Sequence, residues 1–146
     1  MGCPEAVAFG APLIARLLLD THIIVRWLAA PKKLSREQLR ALRQAVRARE
    51  PLAVSAISLL ELAVLFGEGS VRTEFPAVDL LRQLEADPAF AILPLTPEVV
   101  AEVAAMGSYL RDPADRAIVA TARVHKLRLV TSDQRIIESR LTAIVG

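Results

Sequence analysis

The chain has 146 residues, enough for one domain with a sizeable apolar core, and 53% of them are hydrophobic. Its net charge of +2, with 18 Lys and Arg residues, is compatible with a nucleic-acid partner but does not demand one. The single cysteine, Cys3, excludes an internal disulfide and any zinc site that needs two thiolates, and it is typical of a reducing cytoplasm. The start of the chain lacks the basic segment of a secretory signal, and Arg16 and Asp20 interrupt the apolar stretch before membrane-spanning length.

Short apolar runs alternate with segments of helical period along the chain, which predicts an α/β fold whose parallel sheet is covered on both faces. The predicted strands are 17–19, 52–54, 91–93, 127–131 and, at the edge, 142–145. The predicted helices are 21–30, 36–49, 57–66, 75–85, 97 to about 107, 117–125 and 134–140. These elements make residues 13–146 a single domain, and residues 1–12 are predicted to be a loose extension.

The second predicted helix carries a basic stripe beside its apolar face. Ser35 is its expected N-cap, and its apolar face consists of Leu39, Leu42 and Val46. Arg36, Arg40, Arg43 and Arg47 recur at helical spacing, and Lys32 and Lys33 extend the same positive region. The stripe is therefore either an ordinary solvated helix face or a ridge that binds phosphates or a partner.

Glu61 is the most unusual residue of the next helix, because residues 57–66 are otherwise apolar on almost every side. This pattern predicts that Glu61 is buried, and an unpaired buried charge costs several kcal/mol. Glu61 therefore needs a cation, which can be Arg, Lys or a metal. The helix that follows, 75–85, is expected to turn Val78, Leu81 and Leu84 inward.

Four acidic residues are placed where a parallel sheet collects its ligands. Asp20 and Asp133 follow strands, Asp115 lies at the start of a helix, and Glu61 lies one turn into another. In a doubly wound sheet such residues converge at the carboxyl edge, where the strand order reverses. Alternatively, Asp20, Asp112, Asp115 and Asp133 are only helix caps, worth about 1 kcal/mol each, a reading that leaves Glu61 unexplained.

Clustered carboxylates need protons or a cation. Two of them about 4 Å apart repel by roughly 4 kcal/mol at an effective dielectric constant near 20. A set of oxygen ligands without paired His or Cys favours Mg²⁺ or Mn²⁺ over zinc. The two histidines, His22 and His125, are too few and too scattered for a zinc site, and we interpret them as a turn residue and a helix-end residue.

Four motifs together resemble the PIN-domain ribonucleases, specifically the VapC-type toxins, from Leu17 to the end of the chain. The first is Leu18-Leu19-Asp20-Thr21-His22, followed by Arg26-Trp27-Leu28 and Leu34-Ser35. The second is Ser55-Ala56-Ile57-Ser58 through Glu61. The third is Asp112-Pro113-Ala114-Asp115-Arg116 with Ile118-Val119-Ala120-Thr121-Ala122, and the fourth is Leu129-Val130-Thr131-Ser132-Asp133. Each motif is modest, but the ordered set is specific.

The resemblance implies a PIN-like three-layer α/β/α sandwich with a central, mostly parallel sheet of four to five strands. It assigns the metal-binding and catalytic acids as Asp20, Glu61, Asp115 and Asp133. Of these, Asp20 and Asp115 would be the most direct ligands. The accessory residues would be Asp112 and the hydroxyl of Thr131 or Ser132.

The implied activity is that of an endoribonuclease dependent on Mg²⁺ or Mn²⁺. Water activated by the metal and a carboxylate would attack an RNA phosphorus in line, leaving a 5′-phosphate and a 3′-hydroxyl. The candidates for holding the RNA backbone are Arg36, Arg40, Arg43, Arg47, Arg111 and Arg116. The resemblance further implies a cytoplasmic homodimer and a cognate antitoxin whose tail blocks the pocket.

Two departures and two alternatives stand beside this interpretation. Members with an Asp-Pro-x-Asp-Arg motif often carry His before Arg-Asp-Pro and Phe within it, where this chain has Leu110 and Ala114. All four acids are nevertheless present, so the departures bear on the substrate-facing surface. One alternative is a catalytically silent RNA-binding or interaction module on the same fold. The other is a phosphatase of the haloacid-dehalogenase type, which is disfavoured because His22 stands where an Asp-x-Asp pattern needs its second acid.

Overall fold

A computed structural model describes residues 14–69 and 76–146, so the predicted extension at residues 1–12 lies outside the described residues. Five short strands form one sheet: β1 (Leu17–Leu19), β2 (Leu52–Ser55), β3 (Phe90–Leu93), β4 (Arg128–Val130) and β5 (Ile144–Val145). All pairs are parallel and the order is β3-β2-β1-β4-β5. The chain thus builds outward from β1 in both directions, and the order reverses between β1 and β4. The predicted parallel sheet and its edge strand are confirmed.

Seven α-helices connect the strands in the described part of the chain. They are α1 (Thr21–Ala29), α2 (Arg36–Arg47), α3 (Ala56–Gly67), α4 (Ala77–Ala86), α5 (Pro97–Ala105), α6 (Pro113–His125) and α7 (Gln134–Ser139). Six of them begin at a residue whose side chain accepts a backbone N–H, and the six caps are Asp20, Ser35, Ser55, Thr96, Asp112 and Asp133. Within the described ranges, none of these helices has the length and apolar character needed to cross a bilayer.

Two apolar layers sandwich the sheet because side chains alternate across each strand. In β1, Leu17 and Leu19 pack against residues of α1 to α4, whereas Leu18 packs on the opposite face against α5, α6 and α7. All three leucines are buried, and each such side chain contributes about 1.5–3 kcal/mol through removal from water. This double coverage fixes the carboxyl ends of the strands as an edge between two rigid layers, and it confirms the α/β/α sandwich.

The structure corrects the predicted start of α6, which begins at Pro113 rather than at residue 117. Asp112 accepts the backbone N–H groups of Ala114 and Asp115 at 2.9 and 3.0 Å. Pro113 then occupies the first helical position, where its missing N–H costs nothing. Asp115 therefore lies in the first helical turn.

Two apolar residues that were predicted to face the core are exposed. Val46 in α2 and Val78 in α4 are about half exposed, at 51% and 52%. The buried face of α2 is instead Gln38, Leu42 and Ala45. The buried face is therefore shifted by about one residue from the predicted face. Gln38 takes part in it because its amide has hydrogen-bond partners in the interior.

The prediction that Glu61 is buried is wrong in degree, because α3 has an exposed face. Leu60 and Val64 are 60% and 49% exposed, and Ser58 and Leu62 are the buried residues of this helix. Glu61 lies between these faces and is only half-buried. Its carboxylate therefore reaches the edge of the sheet without being sealed in the core.

Candidate active site

Asp20 is the central acid of the site, immediately after β1 at the point where the strand order reverses. It is buried, at 4% exposure, and both of its carboxylate oxygens accept hydrogen bonds. Oδ1 accepts the backbone N–H of Thr21 at 2.8 Å, and Oδ2 accepts the hydroxyl of Thr131 at 2.6 Å. The backbone N–H of Asp20 also bonds the carbonyl of Val130 at 3.0 Å. Asp20 is thereby tied to the loop after β4, on the other side of the switch point.

Glu61 reaches the same edge from α3 through a hydroxyl relay. The Thr21 hydroxyl lies 2.5 Å from Glu61 Oε1 and 2.9 Å from the Ser58 hydroxyl. A hydroxyl has one hydrogen and a carboxylate only accepts, so Thr21 donates to Glu61 and accepts from Ser58. Burial raises the pKa of Glu61, and the negative charges of Asp20 and Asp112 raise it further against the opposing bond from Thr21.

Asp115 carries the clearest sign that the acids share one site. Its pKa is raised to about 7, first by burial and then by the negative charges of four carboxylates. Those four are Asp112, Asp20, Asp133 and Glu61. The charges of the other acids singled out from the sequence thus all act on Asp115, as expected if they converge at the carboxyl edge.

The capping hypothesis holds for Asp20, Asp112 and Asp133 and is wrong for Asp115. Asp133 Oδ1 accepts the backbone N–H of Arg135 at 2.9 Å, so Asp133 caps α7 while it faces the acidic site. Asp20 and Asp112 cap α1 and α6 in the same way. Asp115 differs, because it lies inside the first turn of α6 and is not a cap.

Thr131 supports two of the acids from the loop after β4. Its hydroxyl donates to Asp20 Oδ2 and accepts the backbone N–H of Asp133 at 3.0 Å. One buried hydroxyl thus fixes acids on both sides of the switch point. The neighbouring Ser132 hydroxyl accepts instead from Gln38 and Arg26, at 2.9 and 3.3 Å.

His22 joins Asp20 to the loop after β4, a role that the sequence did not indicate. Its Nδ1 lies 3.5 Å from Asp20 Oδ2, and its Nε2 accepts the backbone N–H of Ser132 at 3.0 Å. Because Nε2 is an acceptor, the ring carries its hydrogen on Nδ1 and is neutral. Burial lowers the pKa of His22, and Arg26 lowers it further against the opposing charges of Asp20 and Asp133.

Gln38 is the second site residue that sequence reasoning missed. It is buried, and its amide donates to the Thr131 carbonyl at 3.3 Å and to the Ser132 hydroxyl at 2.9 Å. Its Oε1 accepts the backbone N–H of Ser35, and this completes a capping box. The Ser-x-x-Gln spacing predicts the capping box, but no local signal reveals the contact with a loop nearly a hundred residues away.

The acid set fits a partly hydrated divalent cation. Within residues 14–69 and 76–146, no three acidic, histidine or cysteine side chains stand close enough together to form a ready-made ligand set. One oxygen of Glu61 and one of Asp133 already accept hydrogen bonds from the protein. Mg²⁺ usually keeps several waters and takes only one or two carboxylates directly, so oxygen ligands that form no ready-made cage are compatible with it.

The arginines proposed for RNA contact fall into different environments. Arg116 donates to the backbone carbonyls of Val103, Gly107 and Leu110 at 2.6 to 2.7 Å, so it secures the end of α5. This placement favours a structural role for Arg116 over an RNA contact. Arg111, by contrast, is exposed just before Asp112. The four arginines of α2 are exposed along one side of that helix.

Comparisons with known proteins agree with this fold. The family model described as PIN domain matches residues 17–140. Ribonuclease VapC22 of Mycobacterium tuberculosis is 40% identical over 121 residues, which cover 82% of this chain and 88% of that protein. The crystal structure of FitAcB from Neisseria gonorrhoeae matches with a TM-score of 0.64 and 28% identity, covering 89% of this chain and 96% of the other. A toxin–antitoxin complex from Klebsiella pneumoniae shares the fold at 23% identity, with a TM-score of 0.59 and coverage of 89% and 96%.

Proposed function

This chain belongs to the PIN-domain family, and on that premise we propose that it is a metal-dependent endoribonuclease, the toxin of a toxin–antitoxin pair. The observation that carries the proposal is the raised pKa of Asp115, about 7, since it reflects burial and the charges of four other carboxylates at the switch point of the sheet. Such a site concentrates negative charge that only protons or a cation can neutralise. The similarity to a ribonuclease over most of both chains supports RNA as the substrate.

Asp20, Glu61, Asp115 and Asp133 are the residues proposed to hold the cation, which would be Mg²⁺ or Mn²⁺, with Asp112 as an accessory acid. When bound, such an ion lowers the pKa of water and steadies the charge that develops on a phosphodiester oxygen. RNA hydrolysed in this way would carry a 5′-phosphate and a 3′-hydroxyl.

The remaining residues of the site act by positioning. Thr131 orients Asp20, and Thr21 orients Glu61, through the hydroxyl hydrogen bonds described above. His22 and Gln38 hold the backbone and side chain of Ser132, and thereby the loop that carries Asp133. Supporting contacts of this kind keep carboxylate oxygens in place before substrate binds.

Arg111 is a candidate for binding a phosphate near the acids, since it is exposed and immediately precedes Asp112. An arginine guanidinium binds phosphate through paired N–H donors and carries no base specificity. Arg116 is already bonded to three carbonyls. We therefore assign it to the fold.

An antitoxin and a second copy of the chain are the proposed protein partners, and the proposed location is the cytoplasm. The match to a chain of a toxin–antitoxin complex supports the antitoxin. Leu28 of α1 and Leu60 and Val64 of α3 expose large apolar side chains on two helices that contact each other. Exposed apolar surface of this kind is typical of protein interfaces.

Cleavage of a labelled single-stranded RNA with Mn²⁺ tests the proposed activity. We expect cleavage by the wild-type protein, none with EDTA, and a loss in Asp20→Asn larger than the roughly 10–100-fold typical of supporting residues. Asparagine is also a good N-cap, so this change removes the charge while the start of α1 is retained. Asp79→Asn, at an exposed position in the first turn of α4, is the matched control and should cleave as the wild type does.

Three outcomes would contradict the proposal. Cleavage that persists in Asp20→Asn would indicate a contaminating nuclease and remove support for the site. Cleavage that resists EDTA would exclude a metal-dependent reaction. Binding of RNA without cleavage of any RNA tested would favour the catalytically silent module instead.

A further inference from the structure

Four arginines of α2 form a basic surface that the acidic site does not use. They are Arg36, Arg40, Arg43 and Arg47, and we call them the arginine stripe. All four are exposed, and together with Leu39 they line a shallow groove of about 300 Å³. Among the residues that the structure describes, no carboxylate forms an ion pair with any of them. Like charges at i and i+4 repel one another, so the stripe lacks the compensation that an ordinary solvated helix face usually has.

The arginine stripe starts beside the acidic site. The N-terminal end of α2 is fixed to the carboxyl edge of the sheet, because Gln38 donates to the loop after β4 and the Ser35 hydroxyl donates to the Gly146 carbonyl at 2.8 Å. Arg36 therefore lies at the same edge as the acids. Arg47 lies eleven residues further along the helix, about 17 Å away at 1.5 Å per residue.

Two lysines continue the positive surface at its upstream end. Lys32 and Lys33 are exposed in the 3-10 turn Pro31–Lys33, which directly precedes α2. Six of the 18 Lys and Arg residues of the chain thus lie between positions 32 and 47. A chain with a net charge of only +2 thus places a third of its positive residues in this 16-residue stretch, whose helix begins at the edge that carries the acids. This arrangement fits a polyanion such as RNA. Its reacting phosphate would lie at the acids, and the phosphates next to it would lie on the arginine stripe.

We propose that the arginine stripe is a second RNA-binding site, which holds the phosphodiester backbone of the substrate on one side of the scissile linkage. The inference rests on the proposed ribonuclease function and adds to it a surface that fixes the path of the strand. Guanidinium groups at regular intervals match a chain of phosphates, each binding through paired N–H donors. Contacts to phosphates position a strand without reading its sequence, so the stripe contributes affinity and register and leaves base selection to other residues.

The salt dependence of RNA binding tests the arginine stripe directly. Binding of a short fluorescein-labelled single-stranded RNA is measured in EDTA, where the proposed cleavage does not occur, between about 0.05 and 0.3 M salt. The test variant is Arg40→Gln with Arg43→Gln, at the centre of the stripe. The matched control is Arg82→Gln with Arg128→Gln, which removes the same charge from exposed positions on α4 and β4.

Each lost phosphate contact lowers the slope of log affinity against log salt by about 0.7 for a single strand, so the test variant should lose about 1.4. A slope change of that size corresponds to about 25-fold weaker binding at 0.1 M salt. The control pair should keep the wild-type slope. An unchanged slope in the test variant, or an equal fall in both variants, would overturn the inference.

Two further measurements separate this inference from its alternatives. Binding of a polyglutamate peptide to the wild type and to the test variant shows whether the stripe binds an acidic protein segment instead. If the test variant loses peptide binding but keeps RNA binding, the RNA assignment is overturned. Cleavage with Mn²⁺ is measured in parallel. If the wild-type protein cleaves RNA but the test variant keeps the wild-type salt slope, the stripe inference fails while the nuclease proposal stands. If the slope falls as expected but the wild-type protein does not cleave, the stripe is supported as an RNA-binding site and the nuclease proposal fails.

Discussion

Asp115 should make the metal-free protein less stable as the pH rises, and Asp115→Asn should remove that effect. The pKa of Asp115 is raised from 3.8 to about 7 in the folded chain. Between these values the folded state holds a proton that the unfolded state has released. Since stability falls with pH wherever the folded state binds more protons, this carboxyl contributes a decline that begins near pH 4 and ends near pH 7.

The size of the effect follows from the shift and from the partial exposure of the group. Each pKa unit corresponds to about 1.4 kcal/mol, so the full difference would be about 4 kcal/mol. Asp115 is only half-buried, and solvent screening reduces this to about 2 kcal/mol. An ionised carboxylate in the first turn of α6 also gains about 0.3–1 kcal/mol from the helix dipole, which asparagine forfeits. The variant should therefore be about 1–2 kcal/mol more stable than the wild type above pH 7.

Thermal unfolding in EDTA measures this difference. At about pH 8 the variant should melt roughly 2–8 °C above the wild type, and the gap should narrow as the pH falls and close only near pH 4, where the carboxyl holds its proton in the unfolded state as well. Mn²⁺ should raise the Tm of the wild type more than that of the variant, since the ion compensates a charge that asparagine lacks. Glu85→Gln, at an exposed acid on α4, is the control, and it should change neither the pH dependence of the Tm nor its response to Mn²⁺. A variant no more stable than the wild type at pH 8, or a gap independent of pH, would refute the reasoning.

Two further changes address the residues that position the acids. Thr131→Val removes the hydroxyl that Asp20 and Asp133 share and should lower RNA cleavage about 10–100-fold, whereas Thr121→Val, at an equally buried hydroxyl within α6, should cleave normally. His22→Gln can still present an acceptor to the Ser132 N–H, whereas the shorter side chain of His22→Asn cannot reach it, so the glutamine variant should retain about tenfold more activity. Equal activity of the two His22 variants, or an equal loss in both threonine variants, would show that these contacts do not position the acids.

The architecture could be predicted from the sequence because local patterns encode it. The run Leu17-Leu18-Leu19 is too short for a helix and is followed by Asp20, so both the strand and the cap could be inferred. The Ser35 cap and the helix start at residue 97 were predicted correctly for the same local reason. Parallel pairing followed from the alternation of strands and helices, and all four observed strand pairs are parallel.

Contacts between distant parts of the chain set the limit of prediction. An apolar period of i, i+3, i+7 placed Leu39, Leu42 and Val46 of α2 on the core face, but only Leu42 is buried and Leu39 partly buried, while Val46 is exposed and Gln38 lies in the interior with its hydrogen bonds. Nothing near Gln38 in sequence indicates the loop after β4. The link from His22 to Ser132 was missed for the same reason, because it spans 110 residues. The functional assignment of the four acids remains a prediction, which the RNA cleavage experiment tests.

The caps also explain how a chain can fold around so many acids. The N-terminal end of a helix carries about half a positive charge, and a carboxylate there gains about 0.3–1 kcal/mol beyond its hydrogen bonds. Asp20, Asp112 and Asp133 each stand at such an end, so the helix starts offset part of the repulsion between them. Asp115 is not a cap, and burial first, then the charges of the four other acids, raise the pKa of its carboxyl to about 7. The same helix starts that stabilise the fold thus leave one acid poised near neutral pH, where a cation can displace its proton.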